Sequence, residues 1–226
     1  MHSTSLPVVH AVTDSASMLK KGFVERAEGV MQALGGRGAV HLRCSRTSGR
    51  RFYEIAAQVA ELQERTGCWL IVNDRVDVAR AVGARGIQLA SHSLQISEAL
   101  LVAPQVPMGA SVHSVAEALV AEKAGASWCV AGTIFETPSH EGRPPARVDF
   151  IRQLAGAISI PIIAIGGVTP ENLVELIAAG AYGVATIRGV GWENNLDQPV
   201  TRYISAYDSV SGAERDDHLD GERSFT

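Results

Sequence analysis

The sequence is poor in cysteine and carries little net charge. Its three cysteines, Cys44, Cys68 and Cys129, are widely spaced and odd in number. That arrangement fits neither a disulfide framework nor a zinc site, so reduced thiols are expected. A net charge of −4 gives no electrostatic reason to expect a nucleic acid or an anionic membrane as a partner, and we predict neither.

Long apolar runs are also missing. Residues 1–6 lack the positive start and apolar core of a signal peptide. No run approaches the ~18 apolar residues that a membrane helix needs. We therefore expect a cytoplasmic protein.

Two segments late in the chain have the pattern of a buried strand that ends in glycine. Residues 160–167 form an apolar run that stops at Gly166 and Gly167, and residues 181–189 form a second run that stops at Arg188-Gly189. A strand without polar alternation is buried on both faces, as in a parallel sheet covered by helices. Two such neighbouring strand ends predict a phosphate site formed by Gly166, Gly167, Ile187 and Arg188.

Apolar strands alternate with amphipathic helices eight times along the chain, which predicts an α/β fold, a single (β/α)8 TIM barrel over residues 1–211. Residues 212–226 are polar and unpatterned and are predicted to be a disordered tail. The first six predicted strands are Val8–Val12, Ala39–Leu42, Trp69–Val72, Gly86–Leu89, Met108–Ser111 and Trp128–Ile134; the two glycine-terminated runs supply the last two.

Polar side chains that follow the strands should meet at one rim of this barrel, where barrel enzymes carry their chemistry. Four of the seven histidines, His41, His92, His113 and His140, fall at such positions. A single histidine at a strand end is more often structural than functional. Four at one rim favour a functional site.

Several of these segments resemble, in the same order, the thiamine phosphate synthase/TenI superfamily, and the resemblance covers roughly Val8 to Gly191. The segments are Asn73–Ala79, Ala110–Ser114, Gly132–Thr137 and Ala164–Asn172. The resemblance implies a (β/α)8 barrel that binds a thiazole phosphate. Its members either join a pyrimidine pyrophosphate to the thiazole phosphate with magnesium, or shift a proton to aromatise a thiazole carboxylate phosphate.

The residues that the synthase branch uses for pyrophosphate and magnesium are only partly present. The run after the second strand keeps Arg43 but has His41 and Ser45 where the family has glutamine and lysine. Asp74 matches one magnesium ligand, but no carboxylate stands near Ser91-His92 for the second, and magnesium usually needs carboxylates beside substrate phosphates. We therefore expect no cofactor and no magnesium site, and the synthase reaction is kept only as an alternative to the main prediction.

The tautomerase branch matches His41-Leu42-Arg43, and its loop after the sixth strand resembles residues 142–147. The resemblance assigns the acid/base role to His113. A histidine suits a proton shift because its pKa lies near neutrality. The sequence thus predicts a thiazole tautomerase, an isomerase in thiamine biosynthesis.

The remaining predicted site residues are expected to bind the substrate, and some have alternative roles. Arg43 could bind a substrate carboxylate or pair with Asp74, and Asp74 could contact the ligand or cap the next helix. Two further functions stay open: another phosphate-binding barrel enzyme, or a binding protein without catalysis. A homo-oligomer is possible. The substrate-binding set is His41, Arg43, Asn73, Asp74, Ser111 and Thr137.

Overall fold

The computed structural model of this protein describes residues 5–137, 145–192 and 199–220, and side chains are described as far as residue 211. Eight parallel strands form a closed barrel in sequence order, in which β8 pairs with β1. The predicted (β/α)8 barrel is therefore confirmed. The strands are β1 Val9–Val12, β2 Gly38–Leu42, β3 Trp69–Asn73, β4 Gly86–Leu89, β5 Met108–Val112, β6 Trp128–Ala131, β7 Ile162–Ile165 and β8 Gly183–Thr186.

Helices cover the outside of the barrel and explain why the strands lack polar alternation. Every residue of β1, β2, β4, β6 and β8 is buried, because the outer face of a strand packs on helices and the inner face on the barrel interior. The helices are α1 Ser15–Met18, α2 Phe23–Leu34, α3 Gly49–Thr66, α4 Val76–Val82, α5 Ile96–Val102, α6 Val115–Lys123, α7 Arg147–Ala155, α8 Leu173–Ala178 and α9 Val200–Asp220.

Two segments differ from their predicted ends. Strand β6 stops at Ala131 rather than Ile134, because the chain turns out of the sheet while the N–H groups of Ile134 and Phe135 still bond to the carbonyls of Ile165 and Gly166. Helix α9 runs to Asp220, past the start of the tail predicted at residue 212. The tail and the domain boundary stay predictions, since residues 221–226 lie outside the described ranges. In the part of the chain described, no helix is long and apolar enough to cross a membrane.

Two of the three cysteines, Cys68 and Cys129, lie in the apolar core. A large apolar cluster fills the space between strands and helices, and a smaller one, which includes Trp69, Ile71 and Trp128, fills the barrel interior. All three cysteines are free. Burial raises the pKa of Cys68 and of Cys129 to about 12, so these thiols remain protonated packing groups.

The indole of Trp128 occupies space in the interior that two neighbouring strands leave open by having glycine. A Cβ at Gly86 would lie 3.1 Å from Trp128 Cη2, and a Cβ at Gly109 would overlap the indole nitrogen and the side-chain oxygen of Gln88. Trp128 is fully buried and donates its indole N–H to Gln88 Oε1 at 2.9 Å. The glycines thus admit the largest buried side chain of the barrel.

We expect Gly109→Ala to lower the free energy of unfolding by about 2–3 kcal/mol, because a methyl group in this packed interior must displace Trp128 or Gln88. Urea denaturation measures the change. Gly156→Ala is the matched control: its Cβ would meet only ordinary contacts from 3.6 Å outward, so stability should be unchanged or rise by up to about 1 kcal/mol. Equal losses in both variants would contradict this account of Gly109.

Candidate functional site

A cavity of about 650 Å³ opens at the carboxyl ends of the strands, within the range typical of small-molecule sites. Most of the predicted site residues line it, and Asp74 does not. Thr186, Tyr203, Gln88 and Glu136 also line it and were not predicted as site residues. The predicted residues found in the lining are His41, Arg43, Asn73, Ser111, His113, Thr137, Gly166, Gly167, Ile187 and Arg188. His140 and residues 142–144 lie outside the described residues.

Asp74 has a structural role next to the cavity, in the loop that follows β4. Its backbone lies in the left-handed region, at φ 63°, where aspartate is one of the better tolerated residues. Its Oδ1 accepts hydrogen bonds from the Ala90 N–H, at 3.1 Å, and from the Ser93 hydroxyl. Helix α4 has Arg75 at its N-cap without a side-chain bond, so Asp74 is not its cap. The carboxylate instead fixes the loop that follows β4.

The loop after β7 has the glycine geometry expected for an anion site. Gly166 and Gly167 have φ values of 101° and 65°, and a Cβ on Gly167 would lie 2.7 Å from both Phe135 Cβ and the Glu136 carbonyl. Asn172 Nδ2 donates to the Gly167 carbonyl at 3.0 Å, which holds the turn. The loop is therefore compact, glycine-dependent and bordered by the cavity.

Tyr203, on α9, connects this loop to the one after β8. Its hydroxyl donates to the Val168 carbonyl at 2.9 Å and lies 3.4 Å from Thr186 Oγ1, which in turn accepts the Gly189 N–H at 3.1 Å. Tyr203 is 3% exposed, and burial raises its pKa. One phenol thus braces both predicted phosphate loops. Sequence reasoning missed it because it lies on a helix far from any strand end.

His113 stands at the rim with about half of its side chain exposed. Its backbone N–H donates to Glu117 Oε2 at 2.7 Å, and its Nδ1 lies 3.3 Å from the same oxygen. Ser114 caps α6 by accepting the Glu117 N–H. His113 therefore lines the cavity from the capped start of α6, with the Glu117 carboxylate beside it.

His41 forms a buried pair with His10, and only His41 was predicted to be a site residue. His10 Nδ1 lies 2.8 Å from His41 Nε2, His10 Nε2 lies 2.9 Å from the Pro7 carbonyl, and His41 Nδ1 lies 3.3 Å from Asn73 Oδ1. Burial lowers the pKa of His10 to about 4 and that of His41 well below its usual value. Both rings are therefore neutral at pH 7. The alternation of β1, in which Val12 also faces the interior, was the available signal for His10.

Ser111 is held by a second polar chain. Trp128 donates to Gln88 Oε1, and Gln88 Nε2 donates to Ser111 Oγ at 3.1 Å. Because the serine oxygen accepts from Gln88, its own O–H is available to donate elsewhere. The lining at this strand is thus polar, ordered and connected to the interior.

The lining carries two arginines, Arg43 and Arg188, both exposed, and one carboxylate, Glu136. Cations of this kind suit the phosphate groups of a ligand. Among the residues that the structure describes, no group of three or more His, Cys, Asp or Glu side chains is placed to hold a metal ion.

The buried histidines predict a pH dependence of stability. The unfolded chain binds a proton at His10 near pH 6.5, whereas the folded protein does so only near pH 4, so the stability that is present above pH 6.5 is lost as the pH falls toward 4. We expect the wild type to lose about 2 kcal/mol more than His10→Gln between pH 7 and pH 5. Urea denaturation at both values tests this, and parallel losses would contradict it.

The brace between the loops predicts a specific effect of Tyr203→Phe, which removes the hydroxyl and leaves the ring. Affinity for inorganic phosphate should fall about threefold to tenfold, because one hydrogen bond that fixes both loops is lost. A chemical-shift titration measures it. Tyr53→Phe, on the exposed side of α3, is the control and should bind as the wild type does; an unchanged Tyr203→Phe would show that the loops need no brace.

Comparison with known proteins identifies relatives over most of the chain. The family model described as thiamine monophosphate synthase matches residues 9–190. A thiamine-phosphate synthase of Pyrococcus abyssi is 38% identical over 184 residues, which cover 81% of this chain and 89% of the relative. One from Methanoculleus marisnigri is 36% identical and covers 83% and 89%.

A solved structure agrees. The thiamine phosphate pyrophosphorylase from Pyrococcus furiosus has a TM-score of 0.79 and 30% identity, and the match covers 90% of this chain and 96% of that one. Such a match over almost the whole of both chains extends the likeness from sequence to fold.

These relatives overturn the predicted reaction. The sequence predicted an isomerase of the tautomerase branch, with the synthase as the alternative, whereas the relatives at 36–38% identity are named as synthases, which are transferases. The prediction was wrong because it weighed a few strand-end positions above the likeness of the whole barrel. By both the family model and these relatives, the chain belongs to the thiamine monophosphate synthase family.

Proposed function

We propose that this protein is a thiamine-phosphate synthase, a transferase that joins a pyrimidine pyrophosphate to a thiazole phosphate and releases pyrophosphate. The observation that carries the proposal is the 38% identity to a thiamine-phosphate synthase over 81% of this chain and 89% of that relative. The site adds a cavity of about 650 Å³, which has room for two small ring substrates.

The two phosphate-bearing ends of such substrates have separate candidate partners. The thiazole phosphate would lie against the glycine loop at Gly166 and Gly167 and the neighbouring Ile187–Gly189 segment, which Tyr203 braces. The pyrophosphate would lie toward Arg43, at the end of β2 on another part of the rim. Binding both ligands at one mouth brings their reacting ends together, which lowers the entropic part of the barrier.

Arg43 then has a role in the chemical step. As the new bond forms between the two substrates, the bond to pyrophosphate breaks and its electrons leave with the departing group. The guanidinium of Arg43 would stabilise that growing negative charge through charge-assisted hydrogen bonds. Its backbone is fixed for this task, since its N–H donates to Thr13 Oγ1 at 2.8 Å and its carbonyl accepts from the same hydroxyl at 3.2 Å.

The resemblance to the synthase branch implies magnesium, and the residues described here do not fit a resident ion. The one matching aspartate, Asp74, is absent from the cavity lining, and its Oδ1 already accepts two hydrogen bonds. His92 and Ser91 stand in the lining at the end of β4, where neither offers a carboxylate. The negative charge of pyrophosphate would therefore be balanced by the arginines of the lining.

The direct test supplies both substrates to the purified protein in magnesium buffer and measures thiamine phosphate after oxidation to a fluorescent product. We expect turnover in the wild type and a loss of about a hundredfold or more in Arg43→Ala, because one stabilising cation at the leaving group is removed. Arg46→Ala, an exposed arginine outside the lining, is the matched control and should retain activity.

The outcomes separate the alternatives. No product above the uncatalysed rate, with thiazole phosphate still bound, would refute the synthase proposal and favour a binding protein without catalysis. Product formation that Arg43→Ala leaves intact would keep the function and refute the role of Arg43.

A further inference from the structure

A continuous hydrogen-bonded chain runs from the floor of the barrel to the cavity. It begins at the Pro7 carbonyl, passes through His10 and His41 and ends at Asn73, with contacts of 2.9, 2.8 and 3.3 Å. His10 is fully buried and His41 is 2% exposed. His41 and Asn73 line the cavity, and His10 does not.

The polarity of this chain is fixed at its lower end. A carbonyl oxygen only accepts hydrogen bonds, so His10 Nε2 carries the proton that faces Pro7. A neutral imidazole has one N–H, so His10 Nδ1 accepts, and the donor to it is the Nε2–H of His41. His41 Nδ1 is then also without a proton and accepts.

The same logic decides the orientation of Asn73. Only the amide nitrogen of Asn73 can donate to His41 Nδ1, because the amide oxygen has no proton. The two ends of an amide have nearly the same shape, and the hydrogen-bond network assigns them. The side-chain atom that lies 3.3 Å from His41 Nδ1, recorded as Oδ1, is therefore the nitrogen. The oxygen of the Asn73 side-chain amide then lies on the side of the amide that faces away from His41.

Adding a proton to the His10–His41 pair would reverse the order of donors and acceptors. The surroundings of the two rings oppose such a positive charge. If both His10 nitrogens carried protons, His41 would donate from Nδ1 and Asn73 would accept. In the described structure the polar partners of the two rings are Pro7, Asn73 and each other, with no carboxylate to stabilise a cation. Desolvation lowers the pKa of both rings, so the neutral order holds at pH 7.

We propose that His10 is a positioning residue that, through His41, turns the Asn73 carbonyl oxygen toward the cavity and makes this part of the wall select a ligand group that donates a hydrogen bond. An amino group on a heteroaromatic ring has that chemistry. A phosphate or carboxylate does not, because its oxygens would face another acceptor. The inference depends on the hydrogen-bond order and is independent of the reaction that the protein catalyses.

Histidine labelling with ¹⁵N tests the hydrogen-bond order in the unaltered protein. Long-range ¹H–¹⁵N spectra at pH 7 distinguish a neutral ring protonated at Nε2 from one protonated at Nδ1 and from the cation. We expect His10 and His41 both to be neutral with the proton on Nε2, with assignments from His10→Gln and His41→Gln. The exposed His92 gives the reference pattern of a solvated ring. A His41 protonated at Nδ1 would overturn the proposal.

Ligand selection is tested with a matched pair of probes, an aminopyrimidine and its dimethylamino analogue, which lacks the N–H donors. The wild type should prefer the amine about tenfold in a chemical-shift titration, with the Asn73 side-chain amide among the shifted signals. His10→Gln should keep the preference, because glutamine can donate to Pro7 and accept from His41. His10→Phe can do neither and should reduce the preference to less than threefold.

The variants also separate positioning from general damage. Folding of each variant is checked by circular dichroism and thermal unfolding before the titration. A folded His10→Phe that retains the tenfold preference, or a wild type that shows none, would overturn the proposal. Should His10→Phe fail to fold, the ring protonation pattern of the wild type still decides it.

Discussion

The pairing of β8 with β1 is the interaction on which the rest of the structure depends. It joins Val9, His10 and Ala11 to Val184, Ala185 and Thr186 and converts an open sheet into a closed barrel. Closure brings the ends of all eight strands around one cavity. Among the eight strands that the structure describes, closure also leaves none with an unpaired edge, so their backbone groups can find partners within the sheet.

Closure has a second effect, because it creates an interior that must be filled. Trp128 fills much of this space, and Gly86 and Gly109 on neighbouring strands leave room for it. The remaining interior carries polar groups, the His10–His41 pair and Gln88, each hydrogen-bonded at both ends. Buried polar groups of this kind are tolerated when they are fully paired. The interior of this barrel therefore combines close packing around Trp128 with paired polar groups that extend up to the cavity.

The fold was predictable from the sequence because each strand is a short apolar run and each break is marked by glycine or a polar cap. The loops at Gly166-Gly167 and Arg188-Gly189, which are predicted to bind phosphate, were located by the same signals, and both line the cavity. Tyr203, Thr186 and His10 could not be found in this way. Their roles arise from contacts between segments far apart in the chain, such as Tyr203 with Val168, and no local pattern encodes such contacts. Asp74 is the opposite case. It lies where the sequence predicted a site residue, but its carboxylate accepts hydrogen bonds from Ala90 and Ser93 in the loop after β4.

The reaction was predicted wrongly for a related reason. The presence of His41 and the loss of a second carboxylate near His92 were treated as decisive for the branch. Those positions were weighed singly, whereas the relatives match across both the barrel and its connections. Substitutions at a few rim positions change which charged ligand groups the site can bind. They do not by themselves identify the reaction that the protein catalyses.

The placement of Tyr203 has a consequence for how the site comes into being. The segment that matches the family model ends at residue 190, and the phenol that braces both loops comes from α9, after it. Trp192 likewise donates its indole N–H to the Val12 carbonyl at the top of β1. Strand β1 and the segments that follow β8 therefore meet beside the cavity. During synthesis on the ribosome, the cavity is not complete until α9 has emerged, so the site matures after the strand that closes the barrel.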